Sequence, residues 1–333
     1  SRPVGSWWLI IIWPIVATLA SEPGRLNADT KYDLVGDPGR LMRVALSTWD
    51  ETRLGGWIPQ QYAGYLWPTG PFHWLVQPLP DWIAQRLWLA TLVIVAGLGV
   101  RAAARQLGCG VGAATVAGVV YQISPYTLPY LSRTSAMLLP WALCGWILVA
   151  AILATRRPAP RWIAVLALLF ATAGGVNSTA LLMISPLPVL WFISAARMGD
   201  MAWRRVASMS VATAVASAGA GAWLVASAVI GATHGPDLLG FSEDITDVAA
   251  TSSAPEVLRS AGYWLTYAVE PTGVATTANA MSLTGSWWVV LTTFTLAVVG
   301  LAASVAGRWR YQWFAAAAVL VSVLVAVGVH PIG

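Results

Sequence analysis

The chain of 333 residues contains a single lysine, Lys31, three histidines, two cysteines, and only 10% charged residues of any kind. Each shortage excludes something. Cys109 and Cys144 are too few for a disulfide framework, and both fall in or beside apolar runs, where they read as small buried apolar side chains. His73, His234 and His330 are scattered and make no ligand set. No zinc-type spacing, phosphate-cradling glycine loop or serine elbow is present. The net charge of +5 comes from basic residues dispersed in pairs between apolar segments. It therefore does not form the basic stripe of a nucleic-acid binder, and no nucleic-acid partner is expected. Eighteen of the 19 cations are arginine, a bias of composition rather than of mechanism.

What remains is apolar. Hydrophobic residues make up 57% of the chain, with 20 tryptophans. A charge in a hydrocarbon layer about 30 Å thick is costly, so chains that cross membranes shed charge from their spans. Indole suits the membrane–water boundary, with one apolar end and one hydrogen-bonding end. A span needs about 20 mostly apolar residues. Nine runs qualify as candidates: 6–21, 84–104, 109–123, 136–155, 161–176, 179–196, 206–230, 287–307 and 312–330. The fifth and sixth are short and meet around Asn177 as a tight helical hairpin. The third is short, glycine-rich, and ends at Ser124-Pro125. The first lacks a small-x-small cleavage site and reads as an anchor rather than a cleaved signal.

The loops after the second, fourth, sixth and eighth runs, with Arg2 at the start, hold eleven cations and one acid, Asp200. The opposite side holds the other eight cations and thirteen acids. This asymmetry is the positive-inside pattern for nine spans with a cytoplasmic N-terminus. Two long polar loops, about 22–83 and 231–286, then face outward and hold every acid except Asp200. The whole chain reads as one membrane domain. The last apolar run meets HPIG with no polar tail, so this domain is expected to be the N-terminal part of a longer protein.

The segment LNADTKYDLVGDP (Leu26 to Pro38) gathers charge just after the first run. Asp29 and Asp33, four apart, share a side whether the segment is helical or extended. Glu243, Asp244 and Asp247 of the second loop are positioned to meet them. Such carboxylates serve a general base, a divalent cation, or simply a solvated acidic loop with Asp29 capping a helix from Thr30. Further on, QQYAGYLWPTGPFHW (Gln60 to Trp74) is rich in aromatics, and the prolines at 68, 71, 78 and 80 exclude one long helix. Short interfacial helices fit, either as an aromatic belt or as a platform whose Tyr65, Trp67 and His73 contact a sugar or lipid head. Within the apolar runs ionisable residues are nearly absent, Arg86 being the main exception. Their absence counts against an ion-coupled transporter.

Three stretches carry a resemblance: ADTKYDLVGDPGRLMRVALSTWD (Ala28 to Asp50), QQYAGYLWPTGPFHWL (Gln60 to Leu75) and QRLW (Gln85 to Trp88). Together with GGVN (Gly174 to Asn177) and the acidic second loop, they resemble the start of the mycobacterial arabinofuranosyltransferase D family. The resemblance implies an all-α polytopic membrane fold of the glycosyltransferase C type, in the cytoplasmic membrane with its active site outside. It implies transfer of arabinofuranose from decaprenyl-phospho-arabinofuranose to a growing arabinan of arabinogalactan or lipoarabinomannan. Family members are much longer, with carbohydrate-binding modules beyond this region. An essential acid in the first outer loop is also implied, and Asp29 occupies that place.

On that basis Asp29 is the general base of an inverting single displacement, taking the acceptor hydroxyl proton. Lys31, Arg133 and Arg259 are candidates to stabilise the leaving lipid phosphate, and ordinary surface pairing is an equal reading of each. Asp33 and Glu243 either orient Asp29, bind acceptor hydroxyls or hold a divalent cation. No cofactor is otherwise implied. Two rivals share the spans and surface aromatics: a lipid-linked sugar flippase or exporter, and a non-catalytic membrane anchor for binding modules. Neither requires the carboxylate.

Overall fold

The computed structural model describes residues 7–29, 32–47, 49–52, 56, 60–133, 135–157, 159–174, 181, 183–223, 225–226, 229, 233, 249–269, 280–306 and 308–328. No β-strand forms among them; the architecture is helical. In order the helices are α1 (Trp8–Ala20), α2 (Asp33–Gly36), α3 (Pro38–Ala45), α4 (Thr69–Val76), α5 (Asp81–Gln106) and α6 (Val111–Gln122). They continue with α7 (Thr127–Arg133), α8 (Leu138–Arg156), α9 (Pro160–Gly174), α10 (Pro186–Arg197) and α11 (Trp203–Ala220). The last four are α12 (Ala254–Leu258), α13 (Ala280–Gly285), α14 (Trp287–Ala306) and α15 (Gln312–Val327).

Every apolar run of the sequence contains one of these helices, as expected where the backbone must satisfy its own hydrogen bonds. Among the described residues, three helical stretches are long and apolar enough to cross a membrane: Asp81–Gln106, Ser135–Arg156 and Trp287–Ala306. Four shorter apolar helices accompany them: Trp8–Ala20, Val111–Gln122, Pro160–Gly174 and Gln312–Val327. The hairpin expected around Asn177 lies outside the described residues.

Helix α5 is the hub, packing on α8, α6 and α1, while α8 also packs on α9 and α10. Two crossings are set by glycine. A Cβ on Gly145 of α8 would stand 2.3 Å from the Gly99 carbonyl carbon of α5. A Cβ on Gly118 of α6 would stand 2.6 Å from the Gly97 oxygen. Any side chain there forces the backbones apart, which is how small residues drive close helix packing without a hydrophobic gradient. A buried amide fastens α1 to this hub. Gln122 is 1% exposed. Its Nε2 donates to the carbonyls of Ile10 (3.0 Å) and Val93 (2.9 Å), and its Oε1 accepts from Trp13 Nε1 at 2.8 Å.

The apolar core centres on Ile147, Leu138, Leu92, Trp191 and Phe192. Trp191 meets Phe314 of α15 edge-on at 5.3 Å and donates its Nε1 to Thr155 Oγ1 at 3.1 Å. Cys109 and Cys144 are free and half-buried. The segment between α1 and α5 is broken into short helices, as its prolines require: Pro38 opens α3, Pro68 precedes α4 and Pro80 precedes α5. It carries its own small cluster of Leu34, Leu41, Tyr62 and Tyr65.

Candidate functional site

The chain leaves α1 through a turn with Gly24 at φ +83° and then runs along the start of α5. Asn27 is clamped there. Its backbone N–H donates to Gln85 Oε1 at 2.7 Å, and its carbonyl accepts from Gln85 Nε2 at 3.1 Å. Its Nδ2 donates to the Leu131 carbonyl of α7 at 2.8 Å. Residue 27 is thus fixed to two helices, and residue 29 follows with little freedom.

Asp29 is half-buried. Its Oδ1 accepts from the Ser135 backbone N–H at 3.1 Å, and its Oδ2 accepts from the Ser135 hydroxyl. Ser135 opens the 3₁₀ turn Ser135–Met137 that leads into α8. The carboxylate therefore sits at the N-terminal end of a long helix, where N–H groups favour negative charge. The helix start expected at Thr30, with Asp29 as its cap, lies outside the described residues. The described helix that follows, α2, spans Asp33–Gly36.

The remaining expected site residues divide. Asp33 Oδ2 accepts from Tyr62 Oη at 2.9 Å, on the small loop cluster. Trp67 is 62% exposed, with its Nε1 donating to Thr172 Oγ1 of α9 at 3.1 Å. Tyr65 and His73 face inward: both are buried, Tyr65 in the loop cluster and His73 beside Phe72 and Trp88. Burial lowers the His73 pKa to about 4, which keeps the ring neutral near pH 7, and its Nδ1 has no partner among the described residues.

Arg259 is likewise buried and engaged. Its Nε donates to both Glu256 oxygens at 3.0 and 2.9 Å, its Nη1 to Thr293 Oγ1 at 3.3 Å and its Nη2 to the Leu283 carbonyl at 2.7 Å. Tyr267 closes on the same carboxylate, and burial, aided by that bond, pushes its phenol up to about 12. This ion pair ties α12 to α13 and α14 and presents no open cation. Lys31 and Glu243 lie outside the described residues, as does the Arg133 side chain, which belongs to the last residue of α7. Among the described residues no three of His, Cys, Asp and Glu gather to hold a metal.

Sequence reasoning missed Ser135, Asn27 and Gln85. The Asp29–Ser135 contact joins residues 106 apart, a separation for which no local spacing gives a signal. Another acid, Asp50, is 4% exposed and accepts from the Thr52 backbone N–H at 3.0 Å and hydroxyl at 2.6 Å.

A family model described as alpha-(1->3)-arabinofuranosyltransferase, N-terminal GT-C domain, matches residues 13–332. An alpha-(1->3)-arabinofuranosyltransferase of Mycobacterium tuberculosis is 33% identical over 311 residues, 90% of this chain and 21% of that protein. One from Mycolicibacterium smegmatis is 33% identical over 297 residues, 86% of this chain and 20% of that protein. The chain thus spans about a fifth of the length of these curated relatives. Among solved structures, the cryo-EM structure of arabinofuranosyltransferase AftD from Mycobacteria superposes with a TM-score of 0.64 at 24% identity, covering 97% of this chain and 26% of that one. A mutant of AftD gives 0.63 at 22%, covering 96% and 24%. These structures share the fold. With the family model matching almost end to end, the chain belongs to the alpha-(1->3)-arabinofuranosyltransferase N-terminal GT-C domain family.

Proposed function

We propose that this chain is the membrane domain of a glycosyltransferase that moves arabinofuranose from decaprenyl-phospho-arabinofuranose to a cell-wall arabinan. One observation carries the reading: a half-buried carboxylate, Asp29, is fixed by Ser135 at the head of α8 in a chain whose relatives are named arabinofuranosyltransferases. Asp29 takes the proton of the acceptor hydroxyl. The acceptor oxygen forms its bond to the anomeric carbon as the carbon–oxygen bond to phosphate breaks. The bonding pair leaves on the polyprenyl phosphate, and the anomeric centre inverts.

Lys31 and Arg133 are the candidates to stabilise that anion. Exposed Trp67 offers an indole face to the apolar side of a sugar. The same proposal includes nine spans, a cytoplasmic N-terminus and the site on the outer face, following the distribution of arginine.

The test is arabinose transfer from the lipid-phosphate donor to a short arabinan acceptor, in the full-length protein, comparing Asp29→Asn with wild type at matched folding. General-base help is worth about 10²–10⁴-fold, and a loss in that range with donor binding retained is the expected outcome. Undiminished transfer removes Asp29 from the chemistry. A flippase or a passive anchor would be indifferent to the substitution.

A further inference from the structure

A cavity of about 430 Å³ lies between α9, α10 and α11. Its size falls within the range of small-molecule sites. No Asp, Glu, Lys, Arg or His lines it, and two of its walls are mostly apolar, with Phe170 on α9 and Val189 and Phe192 on α10. The third wall differs. Helix α11 lines the cavity with Ser210, Thr213 and Ser217. These residues are three and four apart, so they share one face of the helix, over about 10 Å of its length.

The oxygen of each of the three hydroxyls is buried, and none has a hydrogen-bond partner among the described residues. Thr213 is the most enclosed, at 6% exposed. A helical serine or threonine ordinarily escapes this state by donating to the carbonyl one turn back. Thr18 does so to Pro14 at 2.8 Å, Thr91 to Leu87 at 2.7 Å and Thr172 to Leu168 at 2.8 Å. On α11 three hydroxyls of one face forgo that bond and line the cavity instead. A buried donor left unmade bears its whole desolvation cost, and here three such donors surround one space.

The lining sets the chemistry of what fills that space. An ion would enter with no opposite charge to meet it, so the ligand is neutral. A ligand N–H or O–H would face mostly aliphatic and aromatic wall, so the polar atoms of the ligand are acceptors. A carbonyl oxygen has two lone pairs and no proton of its own, which suits a row of donors. The remaining surface of the ligand is apolar, like the walls of α9 and α10.

We propose that this cavity binds a neutral apolar molecule whose carbonyl oxygens accept from Ser210, Thr213 and Ser217. Two kinds of membrane-soluble molecule carry that chemistry, an ester lipid and a quinone. The inference stands apart from transfer chemistry and from Asp29, neither of which involves α11.

The experiment is binding to the full-length protein in detergent, read by native mass spectrometry, with two matched pairs of probes. One pair is tributyrin and the tributyl ether of glycerol, which differ in ester carbonyls. The other is decylubiquinone and decylbenzene, which differ in the quinone oxygens. At least one carbonyl probe is expected to bind saturably and about tenfold more tightly than its partner, the scale of a hydrogen bond to an otherwise unmet donor. Preference for tributyrin would assign the cavity to an ester lipid and preference for decylubiquinone to a quinone; either supports the proposal. Thr213→Val keeps the side-chain shape and removes an unmet donor, so it leaves the fold intact and should reduce the preference. The triple variant Ser210→Ala, Thr213→Val, Ser217→Ala should erase it while the carbonyl-free probes bind as before. Ala214→Trp, on the cavity side of α11, should weaken every probe with the three hydroxyls in place. Equal binding within both pairs, a preference that survives the triple variant, or unchanged affinity in Ala214→Trp would overturn the proposal.

Discussion

The contact between Asp29 and Ser135 concentrates two donors of one residue on one carboxylate. Ser135 holds the base in place and does not itself need to meet substrate. Ser135→Ala is therefore expected to lower kcat of arabinose transfer by about tenfold, the worth of one charge-assisted hydrogen bond, with KM for donor little changed. Ser135→Thr, which keeps a hydroxyl, should recover most of the rate. A fall in KM and kcat together with loss of protein would instead mark Ser135 as a folding residue.

His73 supports a different prediction. Burial holds its folded pKa near 4, below the 6.5 of the unfolded chain. Between those values the unfolded state binds a proton that the folded state refuses, so stability falls as pH drops from about 6.5 towards 4. Going from pH 7.5 to 5 should cost about 2 kcal/mol through this residue. Thermal unfolding in detergent at the two pH values reads the effect, and His73→Phe should flatten it. An equal pH response in the variant would assign the acid sensitivity to other groups.

At the scale of helices, the glycine crossings make a sharper demand than the apolar surfaces around them. Most of these helices are apolar on every face, so many faces suit a neighbour; only Gly145 against Gly99 allows backbone contact at that point. Gly145→Val should therefore separate α5 from α8 and destabilise the chain by about 1–3 kcal/mol, as overpacking does. The check is the unfolding midpoint of the variant beside that of Gly112→Val, a helical glycine with open space around its Cβ. A similar shift in both would point to a general β-branched penalty and not to the crossing.

For the whole molecule, the proposed nine-span arrangement makes a prediction about sides. After Cys109 and Cys144 are replaced by serine, Glu51→Cys should react with a membrane-impermeant thiol reagent on intact cells. Asp200→Cys should react only after permeabilisation. Asp200 pairs with Arg310 at 2.5 Å, so the two arginine-bearing loops meet; the proposed topology puts two crossings between them. Labelling of both positions in intact cells would remove the proposed topology.

The sequence by itself determined that the chain is helical and that each of its apolar runs holds a helix, because length and unbroken hydrophobicity are local properties. It also determined that the stretch around Gln60–Trp74 breaks into short helices, since proline acts on its own neighbours, and which family the chain belongs to, through long motifs such as ADTKYDLVGDP. Tertiary structure alone decided what surrounds each chemical group. Tyr65 and His73 stand in the same aromatic stretch as Trp67, yet they are buried while Trp67 is exposed. Arg259 is absorbed by Glu256 and Tyr267, and the Arg86 Nε is left without a hydrogen-bond partner among the described residues. The reason is physical. On helices that are apolar all round, no periodicity marks the packed face, so burial is set by what packs against it in three dimensions, and a partner can come from far along the chain, as Ser135 does for Asp29, 106 residues away.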